Sequence, residues 1–168
     1  MKKSILLLII LLISIISISC DPGTYKIADE SLENVVSIEL INYDNPEQDH
    51  FTSWVPNHFD DLLPFNIDKE TVIKKLSDEN IDGFLNSFKK TDILHAYYAY
   101  NSPKDVCIKL NYLNGNFLII WANYERESFA GYIGEYLPDG TVLSFWGSFS
   151  GLFYYEDLVN NYFNYNLS

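Results

Sequence analysis

Carboxylates are the first residues in this sequence whose type and spacing could do chemistry. They form three groups: Asp60-Asp61, Asp78-Glu79 with Asp82, and Glu156-Asp157. Two carboxylates about 5–10 Å apart across a cleft can hydrolyse a glycosidic bond, one as the acid and the other as base or nucleophile. Carboxylates in the first turn of a helix also suit its positive end and remain in water. An exposed acidic surface could instead bind a basic protein by charge complementarity.

Aromatic side chains are the second feature, with 13 Tyr, 11 Phe and 3 Trp in 168 residues. Alternation predicts Tyr132 and Tyr136 on one face of a strand. It likewise predicts Val142, Ser144 and Trp146 on one face of the next strand. If exposed, these rings could stack on sugars or anchor a partner. If buried, they would fill the core of a two-layer domain and stabilise the sheet through cross-strand pairs.

Signatures of metal, cofactor or nucleophilic chemistry are missing from the sequence. It has no HExxH, no Gly-rich phosphate loop and no CxxC. The spacings of His50, His58 and His95 match no zinc site. Cys107 lies in a strand-like segment, where a single cysteine is typical of a small core residue. We therefore expect no metal, no cofactor and no catalytic residue.

The first twenty residues indicate an exported protein. Lys2 and Lys3 provide a basic start, an uncharged apolar run extends from Ser4 to Ser19, and Cys20 follows. A basic start, an apolar middle and a small-residue end are typical of a bacterial secretory signal. The run is shorter than the roughly 20 apolar residues that span a bilayer. Residues 1–19 are therefore predicted to be a cleaved signal peptide.

The end of this segment, Ser17-Ile18-Ser19-Cys20, resembles the lipobox of bacterial lipoproteins. In that family the cysteine takes a diacylglycerol, the chain is cut just before it, and the new amine is often acylated. The resemblance implies lipidation of Cys20, with palmitate-type chains, and anchoring at the extracytoplasmic face of a bacterial membrane. Ser17 departs from the Leu, Val or Ile usual at its position, and cleavage to a free secreted protein is the alternative.

Processing makes the chain more acidic. Removal of residues 1–19, which hold two lysines and no acid, leaves 149 residues and changes the net charge from −12 to −14. Such a chain is repelled by phosphates, so we expect no nucleic acid partner. Residues 20–33 are predicted to be the lipidated cysteine and a tether, and residues 34–168 to be a single domain. With Cys20 acylated, this domain has no internal disulfide and depends on its core.

The elements of the domain follow from local patterns. Val35 to Tyr43 alternates and predicts a strand with one buried side. Asp68 is a candidate cap for a helix over residues 69–76. Ser77 is a candidate cap for a second helix, in which Ile81, Leu85 and Phe88 form an apolar stripe.

The second half of the chain has β-strand patterns. Asn114-Gly115 between two apolar runs predicts a hairpin, and Leu137-Pro138-Asp139-Gly140 predicts a second turn. Residues 152–163 fit a closing amphipathic helix. The order of elements predicts an α+β fold, an antiparallel β-sheet meander with helices packed on one face.

Several segments are similar to a loose group of small bacterial lipoproteins and exported proteins of unknown function. They are VVSIELINYDNP, DENIDGFLNSF, CIKLNYLNGNF and DLVNNYF. This similarity implies no activity and no site residues. The sequence as a whole predicts a lipid-anchored, non-enzymatic binding module of the cell envelope. Its expected partners are the membrane, through Cys20, and a basic protein. A cell-wall-directed glycan-binding module or hydrolase is the alternative, and an inhibitor of a basic toxin also fits the charge.

Overall fold

A computed structural model describes residues 24–43, 64–91, 93–94, 106–122, 131–149 and 152–167. Within these residues, eight strands form one antiparallel sheet: β1 Thr24–Tyr25, β2 Val35–Tyr43, β3 Glu70–Lys75, β4 Ile93–Leu94, β5 Val106–Tyr112, β6 Phe117–Ala122, β7 Gly131–Tyr136 and β8 Val142–Phe149. Their order across the sheet is β1-β4-β8-β7-β6-β5-β2-β3. The six longer strands form the body of the sheet, and β1 and β4 have two residues each.

Two helices accompany the sheet. Helix α1 comprises Asp78–Phe88, and α2 comprises Leu152–Leu158, which continues into a π-helical turn at Val159–Phe163. Short 3-10 turns lie at Asp29–Leu32 and Ile67–Lys69. The predicted α+β class with an antiparallel sheet is confirmed. Within the described part of the chain, no helix is long and apolar enough to span a membrane.

Local turn chemistry accounts for the two hairpins, which are both confirmed. Gly115, between β5 and β6, has a φ of 88°, and Gly140, between β7 and β8, has a φ of 84°. Glycine adopts this left-handed region without steric penalty. The backbone N–H of Thr141 also donates to Oδ1 of Asp139 at 2.9 Å, which closes the second turn.

The helix predicted over residues 69–76 is wrong. Only Ile67–Lys69 forms a 3-10 turn, and the next six residues form β3, which pairs with β2 from Glu39↔Lys75 to Tyr43↔Glu70. Three consecutive β-branched residues, 71–73, favour a strand over a helix. The paired neighbour then supplies hydrogen bonds that the local sequence could not reveal.

The prediction that β2 has one buried side is also wrong. Ile38 and Leu40 belong to one buried cluster, whereas Ile41 and Tyr43 belong to another. Val36, 48% exposed, lies where the register between β2 and β5 shifts. Both faces of β2 are therefore covered, because the sheet has a cluster on each side.

The two clusters differ in composition. The larger one contains strand residues such as Leu110 together with Phe84, Leu85 and Phe88 of α1 and Phe163 of the π-helical turn. The smaller one is mainly aromatic: Tyr43, Phe65, Phe117, Trp121 and Tyr136, with Ile41, Cys107 and Ile119. In it, Phe65 stacks on Tyr43 with ring centroids 4.3 Å apart.

The predicted tether is too long. β1 pairs with β4, and the side chains of Ile27 and Leu32 are 6% and 2% exposed. Burial of these two apolar side chains holds the segment in the fold. Residues 24–33 therefore belong to the folded domain, which does not begin at residue 34.

Candidate functional site

The acidic residues predicted for binding lie together at the start of α1. Ser77 has extended backbone angles at the N-cap, and Asp78 and Glu79 form the first turn. Asp78, Glu79 and Asp82 are all exposed. The hydroxyl of Ser77 makes no capping bond to the backbone but accepts from Nδ2 of Asn80 at 2.8 Å. We call the three carboxylates of residues 78, 79 and 82 the acidic turn.

Packing on the opposite side of α1 fixes the position of the acidic turn. The ring of Phe84 contacts Tyr162 and Phe163, with centroids 5.4 and 6.2 Å apart. The hydroxyl of Tyr162 donates to the carbonyl of Gly83 at 2.8 Å and lies 2.6 Å from Oγ of Ser87. Within the described ranges, no ion pair involves a carboxylate of the acidic turn. Three exposed negative charges therefore lie at a helix end that is packed against the π-helical turn.

Tyr136, predicted as a binding residue, belongs to the core. Its side chain is 1% exposed, and its ring stacks on Phe117 with centroids 5.4 Å apart. Burial raises the pKa of its hydroxyl well above the ordinary value of 10.0. A partner cannot stack on a buried ring, so the prediction of Tyr136 as a binding residue is wrong.

The described residues of the predicted aromatic surface do not lie on one face. Trp146 is half-buried against the larger cluster, and its Nε1 donates to Oε2 of Glu135 at 3.0 Å. Val142 packs against the smaller cluster instead, so these two residues do not share a face. Register shifts between β7 and β8, at Ile133/Gly134 and at Glu135/Tyr136, break the alternation that the sequence suggested. Tyr132 lies in β7, but its side chain is outside the described part.

A buried ion pair between β5 and β3 was not predicted from the sequence. Lys109 is 7% exposed, and its Nζ lies 2.6 and 2.7 Å from the two carboxylate oxygens of Glu70. The same Nζ lies 4.4 Å from the ring centroid of Phe117 and 5.7 Å from that of Phe65. A lysine among apolar strand residues usually indicates the solvent side. The one signal in the sequence was that Lys109 lies on the same strand face as Cys107, which was predicted to be a core residue.

A second polar group lies beside this pair. Nδ2 of Asn111 donates to Oγ of Ser37 and to Oε2 of Glu39, each at 3.0 Å. The register places Ser37 opposite Asn111 and Glu39 opposite Lys109. These polar side chains satisfy one another, as partly buried polar groups require. They explain how a sheet covered on both faces can still contain polar residues.

The remaining candidates are placed as follows. Cys107 is fully buried in the smaller cluster, as predicted for a core residue. His50, His58, His95 and Cys20 lie outside the described residues. Within the described ranges, no group of three His, Cys, Asp or Glu residues could hold a metal ion. Comparisons with protein-family models, with curated proteins and with solved structures found no match to this chain.

Proposed function

We propose that this chain is a lipid-anchored protein of the bacterial cell envelope that binds a basic protein and is not an enzyme. The observation that carries the binding role is the acidic turn, which is exposed and is held in place by the packing of α1. Complementary charges increase the rate at which two proteins meet and select against partners of the same charge. A net charge of −12 adds to this field.

The N-terminal sequence supports the lipid anchor. The apolar run that ends at Cys20 has the form of a lipoprotein signal, and each CH₂ of an acyl chain contributes about 0.8 kcal/mol of membrane binding. Thr24, where β1 begins, is four positions after Cys20. At about 3.5 Å per residue this segment reaches roughly 14 Å, so the domain lies close to the bilayer.

We also infer that the helices pack on one face of the sheet. Residues of α1, α2 and the π-helical turn all join the larger cluster, and the described helices contribute no residue to the smaller one. Nζ of Lys74 in β3 donates to the carbonyl of Phe163 at 2.6 Å, which ties the end of this helical layer to the sheet. In this arrangement the acidic turn lies at the margin of the helical layer.

Intact mass tests the anchor. The protein extracted from the membrane fraction should have the mass of residues 20–168 plus two or three acyl chains. Cys20→Ser should remove those chains and release the protein from the membrane fraction. Unacylated wild-type protein in the soluble fraction would refute the anchor.

Cross-linking in intact cells tests the binding role. The triple variant Asp78→Asn/Glu79→Gln/Asp82→Asn should lose a discrete basic protein that the wild type captures. A matched triple variant, Glu30→Gln/Glu33→Gln/Asp157→Asn, removes the same charge at other exposed positions and should retain that protein. Equal loss in both variants would show that only total charge matters and would refute a specific role for the acidic turn.

The glycan-binding or hydrolase alternative has less support, because Tyr136 is buried and Trp146 does not lie beside it on a common surface. Isolated cell-wall polymer provides the test. If the protein sediments with this polymer and Trp146→Ala abolishes the sedimentation, the glycan-binding alternative replaces the proposed role. If the protein releases soluble glycan, the hydrolase alternative replaces it.

A further inference from the structure

Strand β3 forms one edge of the sheet. Its inner side pairs with β2, and in the described part of the chain no strand pairs with its outer side. β1, at the opposite edge, has only two residues, whereas β3 has six and extends about 20 Å. β3 is thus the edge that is long enough to accept an extended peptide as an additional strand.

Apolar side chains are concentrated at this edge. Ile67, Val72 and Ile73 are 41%, 50% and 37% exposed. They are three of the six large apolar side chains that are exposed in the described residues, and they lie within seven positions of one another. Exposed apolar side chains beside an unpaired strand edge are typical of a surface that another chain covers.

The charge of the edge is opposite to that of the whole chain. Lys69 and Lys75 are exposed, and no ion pair in the described ranges involves them. The charge of Glu70, the acid of β3, is neutralised by Lys109, whose Nζ donates to both carboxylate oxygens. Residues 69–75 have three lysines, Lys69, Lys74 and Lys75, and one acid, Glu70, whose charge Lys109 neutralises. Asp68 precedes this segment, Glu39 lies opposite Lys75 in β2, and the acidic turn begins at Asp78.

We propose that β3 binds an extended, acidic segment of a partner protein by strand addition. Backbone hydrogen bonds to β3 would provide most of the affinity, and Lys69 and Lys75 would select acidic side chains. The inference that a protein, rather than the membrane, covers β3 rests on the proposed lipid anchor. β1, which follows Cys20 closely, lies seven strand spacings from β3, about 34 Å away. β3 therefore lies at the end of the sheet farthest from the anchored segment.

Edge lysines also have a protective role in many proteins, where they prevent strands of two copies from pairing. The register shift between β2 and β3 at Leu40/Ile41 is a second protective feature of the same kind. The two roles predict different results when Lys69 and Lys75 are neutralised. If the edge binds a peptide, neutralisation of the two lysines weakens peptide binding. If the lysines are protective, neutralisation leaves peptide binding unchanged and copies of the chain self-associate.

The experiment measures fluorescence anisotropy of a labelled peptide of alternating Val and Glu, about eight residues long, with detergent-solubilised full-length protein. The wild type should bind it, and added NaCl should weaken binding because exposed charges are screened. Lys69→Gln/Lys75→Gln should weaken binding about tenfold. The matched variant Lys26→Gln/Lys90→Gln, near the opposite edge, should bind like the wild type. A peptide of alternating Val and Lys should not bind.

Hydrogen exchange locates the peptide. Its addition should slow amide exchange within β3 and leave β1 unchanged. All measurements are made at concentrations at which sedimentation velocity shows a monomer. Absence of binding, equal loss in both lysine variants, or protection elsewhere would overturn the proposal. Unchanged peptide binding with self-association of the Lys69→Gln/Lys75→Gln variant would establish the protective role in its place. Because the assay does not require acylation, it can fail or succeed independently of the lipid anchor.

Discussion

Lys109 in β5 and Glu70 in β3 form an ion pair that extends across the intervening strand β2, with Nζ–oxygen distances of 2.6 and 2.7 Å. Their side chains are 9% and 21% exposed. The ring of Phe117 lies beneath the ammonium group, and a cation over an aromatic face is stabilised further. This ion pair therefore links the edge strand β3 to β5, which lies on the other side of β2.

Removal of one partner of this pair should be costly. Glu70→Gln leaves the ammonium of Lys109 buried without a counter-charge and should lower the free energy of unfolding by about 3 kcal/mol. Replacement of both, as Lys109→Met/Glu70→Leu, should restore most of that loss, because no charge is then buried. Urea unfolding of Lys109→Met, Glu70→Leu and the double variant measures the coupling, and Glu70→Gln measures the loss of the counter-charge. A loss for Glu70→Gln no greater than that for exposed Glu30→Gln would contradict it.

The two hairpin glycines should differ in their tolerance of a side chain. A Cβ on Gly140 would lie 1.8 Å from the carbonyl oxygen of Phe65, whose backbone N–H in turn donates to the carbonyl of Gly140 at 2.8 Å. Gly140→Ala should therefore cost about 3 kcal/mol or more. A Cβ on Gly115 would meet the ring of Pro138, with Cγ at 3.3 Å and Cβ at 3.9 Å, so Gly115→Ala should cost about 1 kcal/mol, mainly for its positive φ.

Thermal or urea unfolding of the two alanine variants provides the comparison. Equal destabilisation would mean that the contact between the β7–β8 turn and Phe65 contributes nothing beyond the backbone angle.

Asp139 should make stability depend on acid pH. The backbone N–H of Thr141 donates to its carboxylate and lowers the pKa of Asp139 below the ordinary value of 3.8. A carboxyl group whose pKa is lowered by folding stabilises the fold above its unfolded pKa. That stability is lost as the pH falls through the lowered pKa. Urea midpoints at neutral and acid pH should therefore fall less for Asp139→Asn than for the wild type. Asp157→Asn, at another exposed position, is the matched control.

Alkaline pH should destabilise the fold through two tyrosines. Burial raises the pKa of Tyr112, with a smaller effect from Glu135, and burial also raises the pKa of Tyr136. Groups that hold their protons more tightly when folded stabilise the fold below the unfolded pKa of about 10, and this stability is lost as the pH rises beyond that value.

A tyrosinate absorbance titration, followed together with circular dichroism, checks this expectation. Part of the tyrosine signal should appear only when the protein unfolds. Tyr136→Phe should reduce that part, whereas complete ionisation of a still folded protein would contradict the expected pKa shifts.

Local chemistry in the sequence was sufficient for the turns, for most strands and for both helices. Asn114-Gly115 and Asp139-Gly140 specify hairpins because glycine alone adopts their positive φ freely. The acids after Ser77 and the stripe of Ile81, Leu85 and Phe88 specify α1 with its acidic turn exposed. These features depend on residues close to one another along the chain, so the sequence alone determined them.

Long-range contacts decided the rest. Residues 70–75 are a strand because β2 supplies their hydrogen bonds, although Asp68 suggested the cap of a helix. Register shifts separated Trp146 from Val142, and a cluster on each face of the sheet buried Tyr136 and Lys109. Which face of a strand is covered, and by what, depends on elements distant in sequence. The tertiary structure alone therefore decided that Tyr136 and Lys109 are buried and that β3 forms an edge of the sheet.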